Sequence, residues 1–362
     1  MSSPVAFRPA PIAITMGDAC GVGPEIITRL YRGAAAAGCF VVGDVGVMRR
    51  AAGCTGGLMP VARIDNAESV FDVPPNCIPV LQVDGLPEGL FRMPFGRIDA
   101  RAGLAAARSI EHAAALALRG QVCAIVTAPI HKEALAAAGV AFPGHTEMLQ
   151  SLAVSPGQSP PAVRMMLANE ELRVVLVTVH QSLRSAIDAV TFDAVLETLR
   201  IAHRASAGWG VGSPRMAVAG LNPHAGEGGL FGDEEQRIIA PAIAAARAEG
   251  INASGPYAPD TVFMRARHAQ GHLGEFDIVI AMTHDQGLIP VKYLGVDHGV
   301  NVTLGLPFVR TSPDHGTAFD KAGTGTAAPS SMAAALAMAR RLSKAAVGAL
   351  PIEDARAFPQ SR

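Results

Sequence analysis

The sequence predicts an α/β fold built on a mostly parallel sheet with flanking helices. Short apolar runs rich in Val and Ile alternate along the chain with longer amphipathic stretches, a pattern typical of buried parallel strands joined by helices. Most of these runs end in polar or Gly-rich segments, and ligands in open α/β sheets bind beyond the carboxyl ends of the strands. At 362 residues the chain exceeds one ordinary core, so we expect two domains.

The first third of the chain follows this alternation closely. Strands are predicted at 11–15, 39–43, 77–83 and 123–129. A helix should begin near Pro24, because proline is favoured in the first helical turn. The segment VGVMRRAAG predicts a short second helix, and the longest helix is predicted over 100–120, where Gly120 ends an amphipathic pattern.

The rest of the chain begins with a predicted hairpin. AVRMMLA and LRVVLVTVH flank ANEE, which indicates two strands joined by a turn. Further strands are predicted in RMAVAGLN, in FDIVIAMTH and in GVNVTLGLPFVRTS, the last split at 305–307. Helices are predicted in VTFDAVLETLRIAHRAS and EEQRIIAPAIAAARAEG, and a closing helix over 330–350 has Ser at its start.

Composition limits the classes of partner. The 30 basic and 31 acidic residues give a net charge of −1, so we expect neither nucleic acid nor an anionic membrane as a partner. The five cysteines are odd in number and irregularly spaced, which favours reduced thiols and a cytoplasmic location. Every apolar run is too short to cross a bilayer, and the first residues lack the pattern of a signal peptide.

Three histidines stand directly after apolar runs that read as strands, namely His180, His224 and His284. Neighbouring parallel strands would deliver the three imidazoles to one edge of the sheet, where neutral nitrogens can hold a divalent metal ion. A single histidine could equally be a surface or core residue. The three together, in loops dense in Asn, Asp, Glu and Gly, favour the metal interpretation.

Other polar residues indicate an anion site. His145 and Thr146 in PGHTEM offer neutral donors near a predicted helix start. Lys292, Asn301 and Arg310 are flanked by apolar residues and suit a phosphate or carboxylate, with the arginine as a bidentate clamp. A structural ion pair is the alternative for the arginine.

Three further motifs leave alternatives open. Asp260 could serve the site or cap a helix. The glycine-rich turn MGDACGVGPE could contact a sugar or nicotinamide, or be a plain tight turn, while Asp18 and Glu25 disfavour a phosphate there. GTGTAA at 323–328 matches a dinucleotide fingerprint, but no apolar strand precedes it, so we discard that interpretation.

Six motifs, in order along nearly the whole chain, resemble those of the 4-hydroxythreonine-4-phosphate dehydrogenase family. They are ITMGDACGVGPE, APIHKEALAAAGVAFPGHTEM, LNPHAGEGGLFGDEE, GPYAPDTVF, AMTHDQGLIPVKYLG and GVNVTLGLPFVRTSPDHGTAFDKAGTG. The resemblance implies a two-domain fold like that of isocitrate and isopropylmalate dehydrogenases, with the active site in the interdomain cleft. We assign 1–130 plus 310–362 to a cofactor-side domain, and 131–309 to a domain that carries the metal, substrate and dimer contacts.

The resemblance also implies a homodimer with a metal site shared across its interface. One divalent ion per site (Zn, Mg, Mn, Co or Ni) would be held by His180, His224 and His284, the third coming from the partner subunit. The matching substrate contacts are His145, Thr146, Asp260, Lys292, Asn301 and Arg310. Lys292 and Asp260 are the candidate catalytic residues. The stretch PDHGTAFDKAGTG resembles a loop that binds NAD or NADP, and its candidate contacts are Asp314, His315, Gly316, Thr317 and Gly323.

The implied reaction is oxidation of a secondary alcohol in a small phosphorylated hydroxy acid, followed by β-decarboxylation. Lys292 would then supply a proton or only contact the phosphate. The first motif departs from the PGEPAGIGP usual in vitamin B6 biosynthesis, and it resembles the branch of 4-phospho-D-threonate and 4-phospho-D-erythronate dehydrogenases. Two alternatives stay open: a dehydrogenase of a cis-dihydrodiol carboxylate in aromatic catabolism, and a metal-dependent hydrolase without a redox cofactor.

Overall fold

The computed structural model describes residues 10–154, 157–295 and 298–348. The strands, in chain order, are β1 (Ile12–Thr15), β2 (Cys39–Gly43), β3 (Val61–Ile64), β4 (Ile78–Gln82), β5 (Ala124–Thr127), β6 (Arg164–Ala168), β7 (Arg173–Leu176), β8 (Met216–Ala219), β9 (Ala253–Tyr257), β10 (Ile278–Ala281), β11 (Val300–Leu304) and β12 (Val309–Pro313). Within the described ranges they form one twelve-stranded sheet in the order β3-β4-β2-β1-β5-β12-β11-β6-β7-β10-β8-β9.

Helices connect the strands and pack on the sheet. They are α1 (Gly23–Leu30), α2 (Val45–Cys54), α3 (Ala100–Leu118), α4 (Lys132–Ala137), α5 (His145–Leu152), α6 (Leu183–Ala189), α7 (Phe192–Ser206), α8 (Ala240–Ala248), α9 (Val262–Ala266), α10 (His284–Tyr293) and α11 (Ser330–Gly348). A π-helical turn, Glu235–Ile239, directly precedes α8. The α/β prediction is therefore confirmed, while the division into two domains stays a prediction.

The sheet consists of two parallel groups that run in opposite directions. Strands β1 to β5 and β12 form the first group, and β7 to β10 form the second. Between them, the pairs β12–β11, β11–β6 and β6–β7 are antiparallel. The carboxyl ends of the two groups therefore point opposite ways along the sheet, and functional loops from both groups can meet only where the antiparallel strands join them.

Strands at the centre of each group are buried on both faces. All four residues of β1, β5, β8 and β10 are buried, which explains their continuous apolar sequence. The predicted hairpin is confirmed by β6 and β7, and the predicted split near Gly305 separates β11 from β12. One correction concerns β7, which ends at Leu176, four residues before His180.

Side-chain caps explain where several helices begin. The Asp44 carboxylate accepts a hydrogen bond from the Val47 N–H at the start of α2. Thr191 accepts one from the Ala194 N–H at the start of α7. Each cap satisfies a backbone donor that has no partner within its helix. In the described ranges, no helix has both the length and the apolar character needed to cross a bilayer.

Candidate active site

The three candidate metal ligands follow three neighbouring strands. Strands β7, β10 and β8 are adjacent and parallel, so their carboxyl ends share one edge of the sheet. His180 lies four residues beyond β7, His284 is the first residue of α10 after β10, and His224 lies five residues beyond β8. The expectation that the three histidines leave the same sheet edge is confirmed.

Two of these histidines approach each other within one chain. The ring centres of His180 and His284 are 5.7 Å apart. The Nδ1 atom of His284 lies 2.7 Å from Asp285 Oδ1, which leaves Nε2 for a ligand. Burial, together with the positive charge of Lys132 and the neighbouring His284, lowers the pKa of His180. His180 is therefore held neutral, the form in which imidazole binds metal.

The third histidine stands apart from this pair. His224 is exposed, and its nearest ring is Phe231 at a centroid distance of 6.2 Å. No group of three His, Cys, Asp or Glu residues converges as a metal site in the described part of one chain. The donor chemistry nevertheless fits a metal ion, since two imidazoles on one tetrahedral zinc would hold their ring centres roughly 5–6 Å apart. One chain thus supplies two candidate metal ligands that lie close together and a third candidate, His224, that lies apart from them.

A polar cavity of about 460 Å³ brings together most of the predicted anion contacts. That volume is within the range of small-molecule sites. The predicted residues that line it are His145, Thr146, His180, Asn301, Arg310, Asp314, His315 and Gly316. The candidates His224, His284, Asp260, Lys292, Thr317 and Gly323 do not line it.

Arg310 is a buried cation in this cavity. Only 3% of its surface is exposed, and burial lowers its pKa to about 10, so it remains charged at neutral pH. Its guanidinium donates to the Thr127 hydroxyl at 2.8 Å and to the Thr303 hydroxyl at 3.0 Å. Among the described residues it forms no ion pair, and Glu147 acts on it only at longer range. The predicted alternative of a structural ion pair for Arg310 is therefore wrong.

Besides Asp314, whose Oδ2 contacts Lys292 without hydrogen-bond geometry, two cavity residues carry buried polar atoms without a partner. They are Nε2 of His145 and Oδ1 of Asn301. Burial and the Arg310 charge lower the pKa of His145 well below its usual range, so the ring is neutral. Although His145 as a residue is only partly buried, the unpartnered nitrogen itself is inaccessible to solvent. A ligand in the cavity can satisfy both atoms, since buried polar groups normally have partners.

Lys292 reaches the cavity wall through Asp314. Its ammonium nitrogen lies 2.7 Å from Asp314 Oδ2, an ion-pair distance. That oxygen has no partner of hydrogen-bond geometry, so the contact is electrostatic rather than a well-directed hydrogen bond. The side chain of Asp314 is 11% exposed, against 41% for Lys292. The acid predicted to contact a cofactor is thus already paired with the predicted catalytic lysine.

The first motif packs against the predicted cofactor stretch. The Val22 N–H donates to the Thr317 carbonyl at 3.0 Å. The fully buried Glu25 carboxylate accepts hydrogen bonds from the N–H groups of Gly323 and of Gly325, the latter at 2.8 Å. The turn MGDACGVGPE is buried throughout and therefore presents no open surface to a sugar or nicotinamide. Of the two interpretations of this segment, the structure supports a plain tight turn.

Asp260 does not cap a helix. It is exposed in the turn after β9, and the residue at the cap position of α9 is Thr261. The alternative of an N-cap role is therefore wrong. Asp260 lies beyond the carboxyl end of β9, next to β8, on the same sheet edge as the three histidines.

Some cavity residues were not singled out from the sequence. Lys132 and Glu147 line the cavity within the motifs APIHK and PGHTEM, and the position of APIHK directly after a strand was the available signal. A separate cavity of about 500 Å³ lies beside the β11–β12 turn, and its walls are mainly apolar, with Ile201, Leu306 and Phe308. The polar cavity is the better candidate active site because unpartnered polar groups converge only there among the two.

Comparison with known proteins gives a consistent result. The family model of the pyridoxal phosphate biosynthetic protein PdxA matches residues 35–339. A 4-hydroxythreonine-4-phosphate dehydrogenase from Beijerinckia indica is 52% identical over 335 residues, which are 92% of this chain and 95% of that protein. A D-threonate 4-phosphate dehydrogenase from Salmonella typhimurium is 44% identical over 336 residues, 91% of this chain and 98% of that protein.

A solved structure agrees with these sequence relatives. The crystal structure of 4-hydroxythreonine-4-phosphate dehydrogenase from Klebsiella pneumoniae is 44% identical, with a TM-score of 0.81, and the match covers 92% of this chain and 99% of that one. The resemblance seen in the six sequence motifs is thus confirmed along nearly the entire chain. This chain belongs to the family of the pyridoxal phosphate biosynthetic protein PdxA, which includes the 4-hydroxythreonine-4-phosphate dehydrogenases.

Proposed function

We propose that this protein is a divalent-metal-dependent, NAD(P)-linked dehydrogenase that oxidises a secondary alcohol in a small phosphorylated hydroxy acid, with subsequent β-decarboxylation. The observation that carries the proposal is Arg310, a buried cation without a carboxylate partner, in a cavity that also holds unpartnered atoms of His145 and Asn301. A buried charge is costly unless it is paired, so this arrangement calls for an anionic ligand.

The substrate we propose has its phosphate beside Arg310. The guanidinium and Lys132 supply positive charge, and His145 and Thr146 at the start of α5 supply neutral donors. The first turn of a helix adds backbone N–H groups that favour an anion. The names of the relatives, which act on 4-hydroxythreonine 4-phosphate and D-threonate 4-phosphate, support the same substrate class for this chain.

For the metal ion we propose His180, His224 and His284 as ligands. When bound, a divalent ion stabilises negative charge on a substrate oxygen, and nicotinamide accepts the hydride. The chain's own part is to hold the His180 imidazole neutral through burial and the charge of Lys132, and to orient His284 through Asp285. Lys292 is the proposed proton donor of the later step, because its ammonium is held beside the cavity by Asp314.

For the cofactor we propose the segment 314–325. His315 and Gly316 line the cavity, while Thr317 and Gly323 are bound through their backbones to α1 and the turn before it. This arrangement supports a rigid loop beside the substrate rather than a glycine-rich turn of the Rossmann type. We propose Asp260 as a further site residue, on the strength of its position on the histidine edge of the sheet.

We further propose that a second copy of this chain completes the site. Large apolar side chains are exposed in the segments that follow the four strands β7, β8, β9 and β10. They are Leu183, Ile187, Leu230, Phe231, Met264, Ile289 and Tyr293. Exposed apolar patches of this kind mark interfaces between proteins. A homodimer would bring a histidine from the partner subunit to the pair within one chain.

The test is a substrate panel with the purified protein. The candidates are 4-phosphohydroxy-L-threonine, 4-phospho-D-threonate, 4-phospho-D-erythronate and the cis-dihydrodiol of terephthalate, each with NAD or NADP and with added Zn²⁺, Mg²⁺, Mn²⁺, Co²⁺ or Ni²⁺. We expect NAD(P)H absorbance to rise with a phosphorylated acid and to be abolished by a chelator. Turnover of the dihydrodiol alone would contradict the proposed phosphate site, and no reduced cofactor with any substrate would contradict the dehydrogenase.

A further inference from the structure

The loop that carries His224 has an unusual backbone. Six consecutive residues, 224–229, have positive φ, with values of 53° at His224, 54° at Ala225 and 44° at Glu227. The other three are glycines, which adopt this conformation readily. For residues with a side chain the left-handed conformation costs on the order of 1–2 kcal/mol each. Such strain persists only where surrounding contacts determine the backbone, and it clusters at functional sites.

A buried glutamate supplies those contacts. Glu235 is 3% exposed and begins the π-helical turn before α8. Its Oε1 accepts hydrogen bonds from the N–H groups of Leu221 at 2.8 Å and Asn222 at 2.7 Å, and its Oε2 accepts one from Asn222 Nδ2 at 3.0 Å. All three donors lie in the two residues that lead into the left-handed segment. The carboxylate therefore fixes the entry to the loop.

Two glycines allow the loop to pack directly on this carboxylate. A Cβ at Gly226 would lie 2.7 Å from Glu235 Oε2, closer than real Cβ atoms approach. A Cβ at Gly220 would lie 3.0 Å from Glu235 Oε1 and 2.8 Å from the Ala225 Cα. The carboxylate is thus enclosed by the turn on two sides. It is a structural centre of the turn rather than a group facing the cavity.

We propose that Glu235 is a positioning residue that holds the 221–228 loop in the left-handed conformation that presents His224 to the metal ion. The inference rests on the proposed metal function of His224. Three N–H groups converge on the carboxylate, and an amide at position 235 would offer only one acceptor oxygen, with its NH₂ group directed at a donor. Groups that orient metal ligands typically change metal affinity 10–100-fold when they are altered.

Glu235→Gln tests the proposal in the full-length protein. Co²⁺ binding is followed by its visible absorption, and Zn²⁺ affinity by competition with a chromogenic chelator. We expect affinity for both ions to fall at least tenfold, and hydrogen exchange in metal-free protein to accelerate over 221–228. Glu249→Gln is the matched control, since that glutamate is exposed and bonds Arg200 far along the chain. The control should bind both ions like the wild type.

Each outcome decides the inference. A folded Glu235→Gln protein with wild-type affinity for Co²⁺ and Zn²⁺ would overturn it, whatever its exchange rates. If this variant does not fold, Glu235→Asp takes its place, because it keeps the charge but shortens the reach. Wild-type affinity in that variant would likewise overturn the inference. Failure of the wild type to bind either ion would overturn the proposed metal site, and this result is distinguishable because the exchange measurement needs no metal.

Discussion

Lys292 and Asp314 form an ion pair of 2.7 Å between the helix that begins at His284 and the loop that follows β12. The pair joins the two oppositely directed halves of the sheet, because α10 follows a strand of the second group and Asp314 follows a strand of the first. The ion pair therefore joins a predicted catalytic group to a predicted cofactor contact. Substituting either residue should change what the other contributes to kcat.

A double-mutant cycle tests whether the two residues act as a unit. Lys292→Met removes the proposed proton donor, and general acid catalysis is worth roughly 10²–10⁴-fold, so we expect kcat to fall at least about 100-fold. Asp314→Asn should reduce kcat less, because the ammonium group remains but is no longer held. If the residues act together, the double variant will be no slower than Lys292→Met. Additive losses in kcat would show that they act independently.

Replacing Arg310 by an apolar residue should weaken substrate binding without lowering the free energy of unfolding. Arg310→Met replaces a buried cation without an ionic partner by an apolar side chain of similar length. We expect the free energy of unfolding to stay the same or rise by about 1 kcal/mol, because such charges are costly to bury. The substrate KM should rise roughly 100-fold, since charge-assisted hydrogen bonds to an anion are strong. Denaturant unfolding and initial rates measure the two effects, and a destabilised variant with unchanged KM would contradict this role.

Asp18 should make stability depend on pH. Burial raises the pKa of this carboxyl from 3.8 to about 6, against smaller lowering effects of the Cys20 N–H and His131, and its Oδ2 has no hydrogen-bond partner. The folded state thus holds a proton that the unfolded state releases, so the free energy of unfolding falls as pH rises from about 4 to 6. Above that pH the buried charge carries its full cost.

Asp18→Asn removes this titration. The variant should equal the wild type in stability near pH 4 and exceed it above pH 6, by at most about 3 kcal/mol for a shift of roughly two pKa units. The exposed Asp65→Asn is the control and should leave the pH profile unchanged. Denaturant unfolding at several pH values provides the measurement. A stability difference that is constant across the pH range would contradict the raised pKa.

The sequence predicted the buried centre of the fold better than its edges. The strands with continuous apolar runs, such as Cys39–Gly43, were found at or near their predicted bounds. The two strands that the sequence pattern did not predict are Val61–Ile64 and Ala253–Tyr257, and they are the two edge strands of the sheet. An edge strand is only partly buried, and its sequence lacks a strong apolar pattern; the second even contains Gly and Pro.

The candidate site also has features that could be predicted from the sequence and features that could not. Strand ends indicated which histidines share an edge, because topology follows from the strand pattern. The contact between Lys292 and Asp314 could not be predicted, since it joins a helix and a loop that follow opposite groups of strands across the antiparallel centre. The left-handed backbone at His224 could not be predicted either, because three of its six residues are not glycine and give no local signal for positive φ.

Glu25 should control the order of the predicted cofactor loop. Its buried carboxylate bonds the N–H groups of Gly323 and Gly325, and an amide in its place can accept only through one oxygen. We expect Glu25→Gln to raise the KM for NAD(P) about tenfold while Zn²⁺ affinity stays at the wild-type value. Asp65→Asn, an exposed change outside the proposed cofactor segment, is the control. An unchanged cofactor KM in a folded Glu25→Gln protein would separate this loop from cofactor binding.

Ala225→Gly should relieve strain beside His224. Ala225 has φ of 54°, a conformation that costs a residue with a Cβ about 1 kcal/mol or more and costs glycine little. The extra flexibility of glycine in the unfolded chain offsets part of this gain. We therefore expect the free energy of unfolding to rise by roughly 0.5 kcal/mol.

The control substitution should change the free energy of unfolding in the opposite direction. Ala244→Gly lies at an exposed position in the right-handed helix α8 and should lower the free energy of unfolding by about 1 kcal/mol. Denaturant unfolding of the two variants beside the wild type makes the comparison. Because the Glu235 carboxylate still fixes Leu221 and Asn222, Zn²⁺ affinity should not change in Ala225→Gly. Equal destabilisation by both glycines would mean that position 225 has no left-handed backbone in solution.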